Sequence, residues 1–301
     1  MSVIKKFVGS HFKFAVLTWH RVVPKGCGSR LGAHTAAGIV TEWPTFLSQL
    51  DALQRAATVI SLAEAVSGVS RGKVPPMAVV LTFDDGFAEH IELVVPELIR
   101  REMAATLFVC GSSLTSAIGL RWLEWCDLIA AASRRQRGYA LVAGLKHELR
   151  AMGVAEREQM LSALSFRFGV LESERRTLQR NLFASVQQLL AVRDLDLISV
   201  GGHSLSHSSL ADLEPGEKKN EIKRCRSLLA GFGLTYKPAF AFPFGGVESY
   251  DLDCIRLVAK SGFMCACTSI PGYNSELTSQ FELRRFDMNR FEVEEVLEGL
   301  R

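Results

Sequence analysis

An apolar run, Val79-Val80-Leu81-Thr82-Phe83, ends abruptly in two adjacent carboxylates and a glycine, Asp84-Asp85-Gly86. Aliphatic and β-branched residues without an intervening charge read as a buried strand, and the acids stand where such a strand must stop. In parallel sheets and barrels the loops after strand C-termini build the active site. The two acids are therefore candidates for a metal ligand and a general base. Asp-Gly is equally a common turn dipeptide, so this segment alone leaves both readings open.

A second stretch, Ile198-Ser199-Val200-Gly201-Gly202-His203-Ser204-Leu205-Ser206-His207, repeats the arrangement with imidazoles. Neutral imidazole is the commonest nitrogen ligand for zinc-like ions, and one carboxylate with two histidines leaves a coordination position open for water or substrate. A His-x-x-x-His pair is weak by itself. Combined with Asp-Asp-Gly on another strand, it points to a catalytic metal site rather than a closed structural one.

Three segments together resemble the polysaccharide deacetylase family (NodB homology domain, carbohydrate esterase family 4). Thr82-Phe83-Asp84-Asp85-Gly86 is similar to its first motif and His203-Ser204-Leu205-Ser206-His207 to its second. Phe240-Ala241-Phe242-Pro243-Phe244-Gly245 is similar to its third, which supplies one wall of the groove. The motifs stand in the family's order and span Val16 to Asp287. The resemblance implies an α/β fold, a distorted (β/α)7-type barrel, and metal-dependent removal of an acetyl group from an N-acetylated sugar. It implies Asp85, His203 and His207 as ligands of a divalent ion, Zn2+ before Co2+ or Ni2+. Asp84 would be the general base, and the backbone N–H of Phe244, beside Pro243, the oxyanion donor.

The chain departs from the family's pattern twice. The late Leu-x-His motif that carries a general-acid histidine has no counterpart in Phe281–Met288. In a branch resembling the biofilm poly-N-acetylglucosamine deacetylases an early Tyr/Trp-His-x-Val segment fills that role. Trp19-His20-Arg21-Val22 is similar to it, which makes His20 the candidate acid. The third motif's arginine, two residues before its proline, is replaced by Ala241; Arg284 or Arg285 is the candidate substitute, against the plainer reading of a surface ion pair.

Strand and helix signals alternate up to Ala105–Val109. Thr41–Leu53, Ser61 to a stop at Gly68, and Glu89–Arg101 read as helices, and Phe14–His20 as the first strand. Residues 112–195 break the rhythm with charged, helically spaced sequence and are expected to form an inserted helical subdomain of one domain spanning 1–301. Trp122 and Trp125 at its start are core rather than a sugar platform on this reading. Beyond it, Glu214–Leu229, Asp251–Ser261 and Phe291–Leu300 read as helices, with strands at Pro238–Gly246, Met264–Thr268 and Phe281–Met288.

At 301 residues and 48% hydrophobic, the chain can bury a large core without staples. Its seven cysteines show no regular spacing, which suggests reduced thiols and a cytoplasmic setting. Cys265 and Cys267 read as alternate residues buried on one face of a strand. The net charge of +3 is dispersed, so nothing argues for nucleic acid. No stretch has the length and apolarity of a membrane span, and His11 and Lys13 interrupt what would be a signal-peptide core after Lys5-Lys6. Peripheral membrane contact through residues 1–14 is the remaining expectation there. The expected partner is an N-acetylated saccharide, in a polysaccharide, a glycolipid or a glycan precursor made inside the cell. Two other readings are a hydrolase of another C–N bond, such as a small amide or ureide, and a catalytically impaired carbohydrate-binding protein.

Overall fold

The structure is a computed structural model that describes residues 12–27, 38–115, 120–135, 144–234 and 238–301. The expected membrane contact at residues 1–14 therefore lies almost wholly outside the described residues. β1 (Phe14–Trp19) and β5 (Ala78–Phe83) are buried at every position, as strands covered on both faces must be. They pair in parallel from Phe14 beside Ala78 to Trp19 beside Phe83. β6 (Ala105–Val109), β7 (Ile198–Gly202), β8 (Phe240–Ala241) and β9 (Ala266–Cys267) follow on one side of β5. β10 (Phe286–Asp287) pairs with the other side of β1.

The path β10-β1-β5-β6-β7-β8-β9 is parallel throughout, and β4 (Thr58–Val59) adds alongside the start of β5. A bridge from Cys267 to Leu283 spans the remaining edge, so the sheet curls into a distorted barrel with helices outside it. β2 (Arg21–Val23) and β3 (Val40–Glu42) form a separate parallel pair. Cys265 and Cys267 are both buried in one apolar cluster, and all seven thiols are free.

Several boundaries differ from the sequence reading, each for a local reason. The helix after Ser61 is closed by Gly72, at φ 63°, and runs straight through Gly68. Left-handed backbone, not glycine as such, ends a helix. The segment expected to be one helix over Glu89–Arg101 opens with a π turn at His90–Val94 before α-helix at Val95–Arg100. Pro96, which lacks the N–H an unbroken helix would use, sits at the change. The strand expected over Pro238–Gly246 shrinks to Phe240–Ala241, because Pro243 cannot donate to a ladder and Phe244 and Gly245 take positive φ. The last strand is likewise only Phe286–Asp287.

Between β6 and β7 the described residues form a short 3-10 turn and five α-helices: Trp122–Arg135, Leu145–Ala151, Val154–Phe168, Glu172–Leu182 and Val186–Arg193. Trp122, Trp125, Ile129, Leu161 and Phe183 share an apolar cluster with Phe87, which follows the β5 carboxylates. The helices are thus packed against the end of the strand that carries Asp84 and Asp85. No described helix is long and apolar enough to cross a membrane.

Candidate active site

Parallel register brings the predicted groups to one end of the barrel. Trp19 and Phe83 are neighbours on β1 and β5, and the Asp84 N–H donates to the Trp19 carbonyl at 2.9 Å. His20 and Asp84 therefore leave their strands side by side. On β7 the His203 N–H donates to the Val109 carbonyl at 2.9 Å, so the histidine loop starts level with the end of β6. Gly201 allows this packing, since a Cβ there would lie 2.6 Å from the Phe108 ring.

The backbone at this end is held in an uncommon conformation. Among the described residues six non-glycine positions have positive φ, and four are here: Asp85 (79°), Ser204 (58°), His207 (59°) and Phe244 (62°). Such strain persists only where surrounding contacts over-determine it, and it concentrates at functional sites. The contacts are visible on the histidine loop. Ser204 Oγ accepts the His207 N–H at 3.0 Å, and Trp122 Nε1–H donates to the His207 carbonyl at 3.1 Å. The buried Glu221 carboxylate accepts from the N–H groups of Leu205 and Ser206 at 3.0 and 2.9 Å.

Asp85, His203 and His207 are buried, with candidate ligand atoms all within 4.8 Å of one another. Asp85 Oδ1 lies 3.2 Å from His207 Nε2 and 3.6 Å from His203 Nε2. The Ala241 carbonyl accepts from His203 Nδ1–H at 2.8 Å, which fixes the tautomer and leaves the Nε2 lone pair toward Asp85. Burial, outweighing the pull of Asp84, lowers the His203 pKa to about 4, so its imidazole is neutral at ordinary pH. Neutral imidazole and ionised carboxylate are the protonation states a divalent ion requires. The donor set fits a zinc-like ion with an open position.

Asp84 has different company. Arg285, buried and extended into the barrel, donates to both carboxylate oxygens, Nη1 to Oδ1 and Nη2 to Oδ2, each at 2.7 Å. Its Nε donates to the Thr268 carbonyl at 2.6 Å, and Nη1 also reaches the hydroxyls of Thr18 and Thr82 at 3.2 and 3.3 Å. Burial alone would raise the Asp84 pKa, but Arg285, with His203 and His20, holds it at about 2. Asp84 is therefore ionised at neutral pH. Arg284 is exposed and its N–H donates to the Asn274 side chain instead. His20 Nε2 lies 3.9 Å from Asp84 Oδ2, and His90 Nε2 donates to the His20 carbonyl.

The groups open onto a cavity of about 460 Å³. Phe244 forms part of its wall, with its ring 4.9 Å from that of His207 and the Arg150 guanidinium 4.5 Å above it. No backbone hydrogen bond takes the Phe244 N–H among the described residues. Pro243, just before it, does not line the cavity. The helical segment contributes Arg121, Glu124, Lys146 and Arg150 to the wall. The sequence reading overlooked Arg121, Glu124, Glu221 and His90. Glu221 lies mid-helix among charged residues, where nothing local distinguishes a buried carboxylate from a solvated one; Arg121, by contrast, stands alone in the apolar run Leu120-Arg121-Trp122-Leu123, a signal of burial that could have found it.

A parallel barrel with two acids after one strand and a His-x-x-x-His loop after another brings together three residues that could hold a divalent ion, Asp85, His203 and His207, beside a second carboxylate. The family model described as polysaccharide deacetylase matches residues 71–266, more than half of the 301-residue chain. The chain belongs to the polysaccharide deacetylase family, which acts on acetylated saccharides. Among curated proteins no sequence match was found. Among solved structures the chain is similar to the deacetylase PplD of Streptococcus pyogenes, solved with acetate. Identity is 16% over 97% of this chain and 100% of that one, with a TM-score of 0.66. It is also similar to IcaB from Ammonifex degensii, at 17% identity over 96% and 97% of the two chains and a TM-score of 0.61. The BpsB deacetylase domain from Bordetella bronchiseptica aligns at 15% identity over 91% and 94%, with a TM-score of 0.60. At these identities the likeness establishes the NodB-type fold.

Proposed function

We propose that this protein is a metal-dependent N-deacetylase that hydrolyses the acetamido group of an N-acetylated sugar. The observation that carries the reading is the convergence of Asp84, Asp85, His203, His207 and His20 at one end of the barrel. Asp85, His203 and His207 would hold the divalent ion, which supplies polarisation of the acetyl carbonyl and acidification of a water. Asp84, kept ionised and oriented by Arg285, accepts the proton from the attacking water. The Phe244 N–H, which has no backbone partner among the described residues, donates to the oxyanion as the carbonyl carbon becomes tetrahedral. His20 Nε2 delivers a proton to the leaving amine as the C–N bond breaks.

Arg285 and His20, each beside Asp84, favour an active enzyme over an impaired carbohydrate binder. For the substrate we favour a glycan precursor made inside the cell, on the strength of seven free thiols. The test is acetate release from a panel of N-acetylated oligosaccharides by the zinc-loaded protein and its Asp84→Asn variant. Release by the first and not the second is expected. Hydrolysis of small amides or ureides with no acetate from any saccharide would move the function to another C–N bond.

A further inference from the structure

Arg121, just before the helix Trp122–Arg135, is buried and pairs through Nη1 with Asp85 Oδ1. That is the same oxygen that faces His207 Nε2 at 3.2 Å and His203 Nε2 at 3.6 Å. A guanidinium thus occupies one side of the oxygen that would coordinate a divalent ion. Arg121 also pairs with a second buried acid: Nε donates to Glu124 Oε2 at 3.0 Å, and Nη2 to Oε1. Its guanidinium lies 4.6 Å from the Phe183 ring and 5.4 Å from the Phe87 ring, and these two rings are stacked on each other. Packing therefore confines it between Asp85 and Glu124.

We propose that Arg121 is the site's own resident cation, competing with the divalent ion for Asp85 Oδ1, and that Glu124 sets the strength of that competition. The proposal rests on the metal-site reading above. Two cations cannot share one carboxylate oxygen without repulsion, which is strong where little water screens it. While the ion is absent, Arg121 keeps Asp85 from being a buried unpaired charge, a costly state. When the ion seats on Asp85, Glu124 retains the guanidinium through its two N–H bonds. Arg121 is a positioning residue in this account, and the helical segment that carries it tunes metal affinity.

The two acids make the proposal testable in opposite directions. Glu124→Gln is nearly isosteric and leaves Arg121 with Asp85 as its one carboxylate partner among the described residues, so Zn2+ binding should weaken. The double variant Arg121→Met with Glu124→Gln removes the competitor and its partner together, so Zn2+ binding should tighten. Changes on the order of tenfold are expected, the scale of other groups that act on a metal through its ligands. The measurement is calorimetric titration of the full metal-free chain with Zn2+ alone, with circular dichroism to confirm folding. A merely structural Arg121 would weaken binding in the double variant, and that result would overturn the proposal. Unchanged affinity in Glu124→Gln would overturn it even if the double variant failed to fold. Wild-type protein that binds no Zn2+ would overturn the metal-site reading and the proposal with it.

Discussion

Asp84 and Asp85 are consecutive, buried and each faced by a buried arginine, yet the two arginines come from different parts of the molecule. Arg285 belongs to the closing edge of the barrel and directs its donors to one carboxylate, the Thr268 carbonyl and two barrel threonines. Arg121 belongs to the helical segment after β6 and divides itself between Asp85 and Glu124. One carboxylate is clamped; the other is held by a cation with an alternative partner. A base must stay ionised and aimed, whereas a metal ligand must be able to exchange one positive charge for another. The contrast teaches that two adjacent acids can be given different surroundings by one fold, which is what the roles proposed for them, base and metal ligand, would need.

Breaking the clamped side at the acid itself should have the largest effect. Asp84→Asn is expected to lower acetate release roughly 100- to 10,000-fold while Zn2+ binding, measured by calorimetry, persists. His20→Ala should fall in the same range or somewhat below it, with the loss relieved for substrates whose leaving amine is less basic. A series of saccharide and aryl amides would show that pattern.

Arg285→Met tests the clamp through stability. With the Asp84 pKa lowered from 3.8 to about 2, the pair's contribution is present above the ordinary carboxylate pKa and is lost as pH falls through about 2. Without Arg285, burial would raise the Asp84 pKa instead, leaving a buried uncompensated carboxylate at neutral pH. Denaturant unfolding should show a loss of about 3–5 kcal/mol at neutral pH. That loss should narrow in acid, where the variant's Asp84 becomes protonated. The smallest expected effect is on the ligand side: Trp122→Phe removes the donor to the His207 carbonyl and should cost about 1 kcal/mol of stability. A variant as stable as the parent would show that the helical segment does not brace the histidine loop.

The parts legible in the sequence were those written locally. Apolar runs that stop at Asp84 and at His203 located two strand ends, and the family resemblance, with its third-motif arginine replaced by Ala241, offered Arg284 or Arg285 as the substitute. The parallel register then explains what no run of residues states, namely that His20 emerges beside Asp84 because Trp19 pairs with Phe83. Strand length at the third motif was overestimated, since Phe242 is apolar because it packs in the core, not because a ladder continues, and Pro243 cannot extend one. The contacts of Arg121 and Glu221 were illegible because the groups they meet, Asp85 and the histidine loop, lie in other elements, and Glu124 was missed because its pairing with Arg121 looks like any i,i+3 surface pair. Arg121 meets Asp85 across 36 positions of sequence.

The division of labour between the two acids is tested most directly by the metal content of three proteins purified and loaded with Zn2+ in parallel: wild type, Asp84→Asn and Asp85→Asn. The account predicts about one ion per chain in the wild type and in Asp84→Asn, and almost none in Asp85→Asn. Loss of the ion from Asp84→Asn, or its retention in Asp85→Asn, would contradict it.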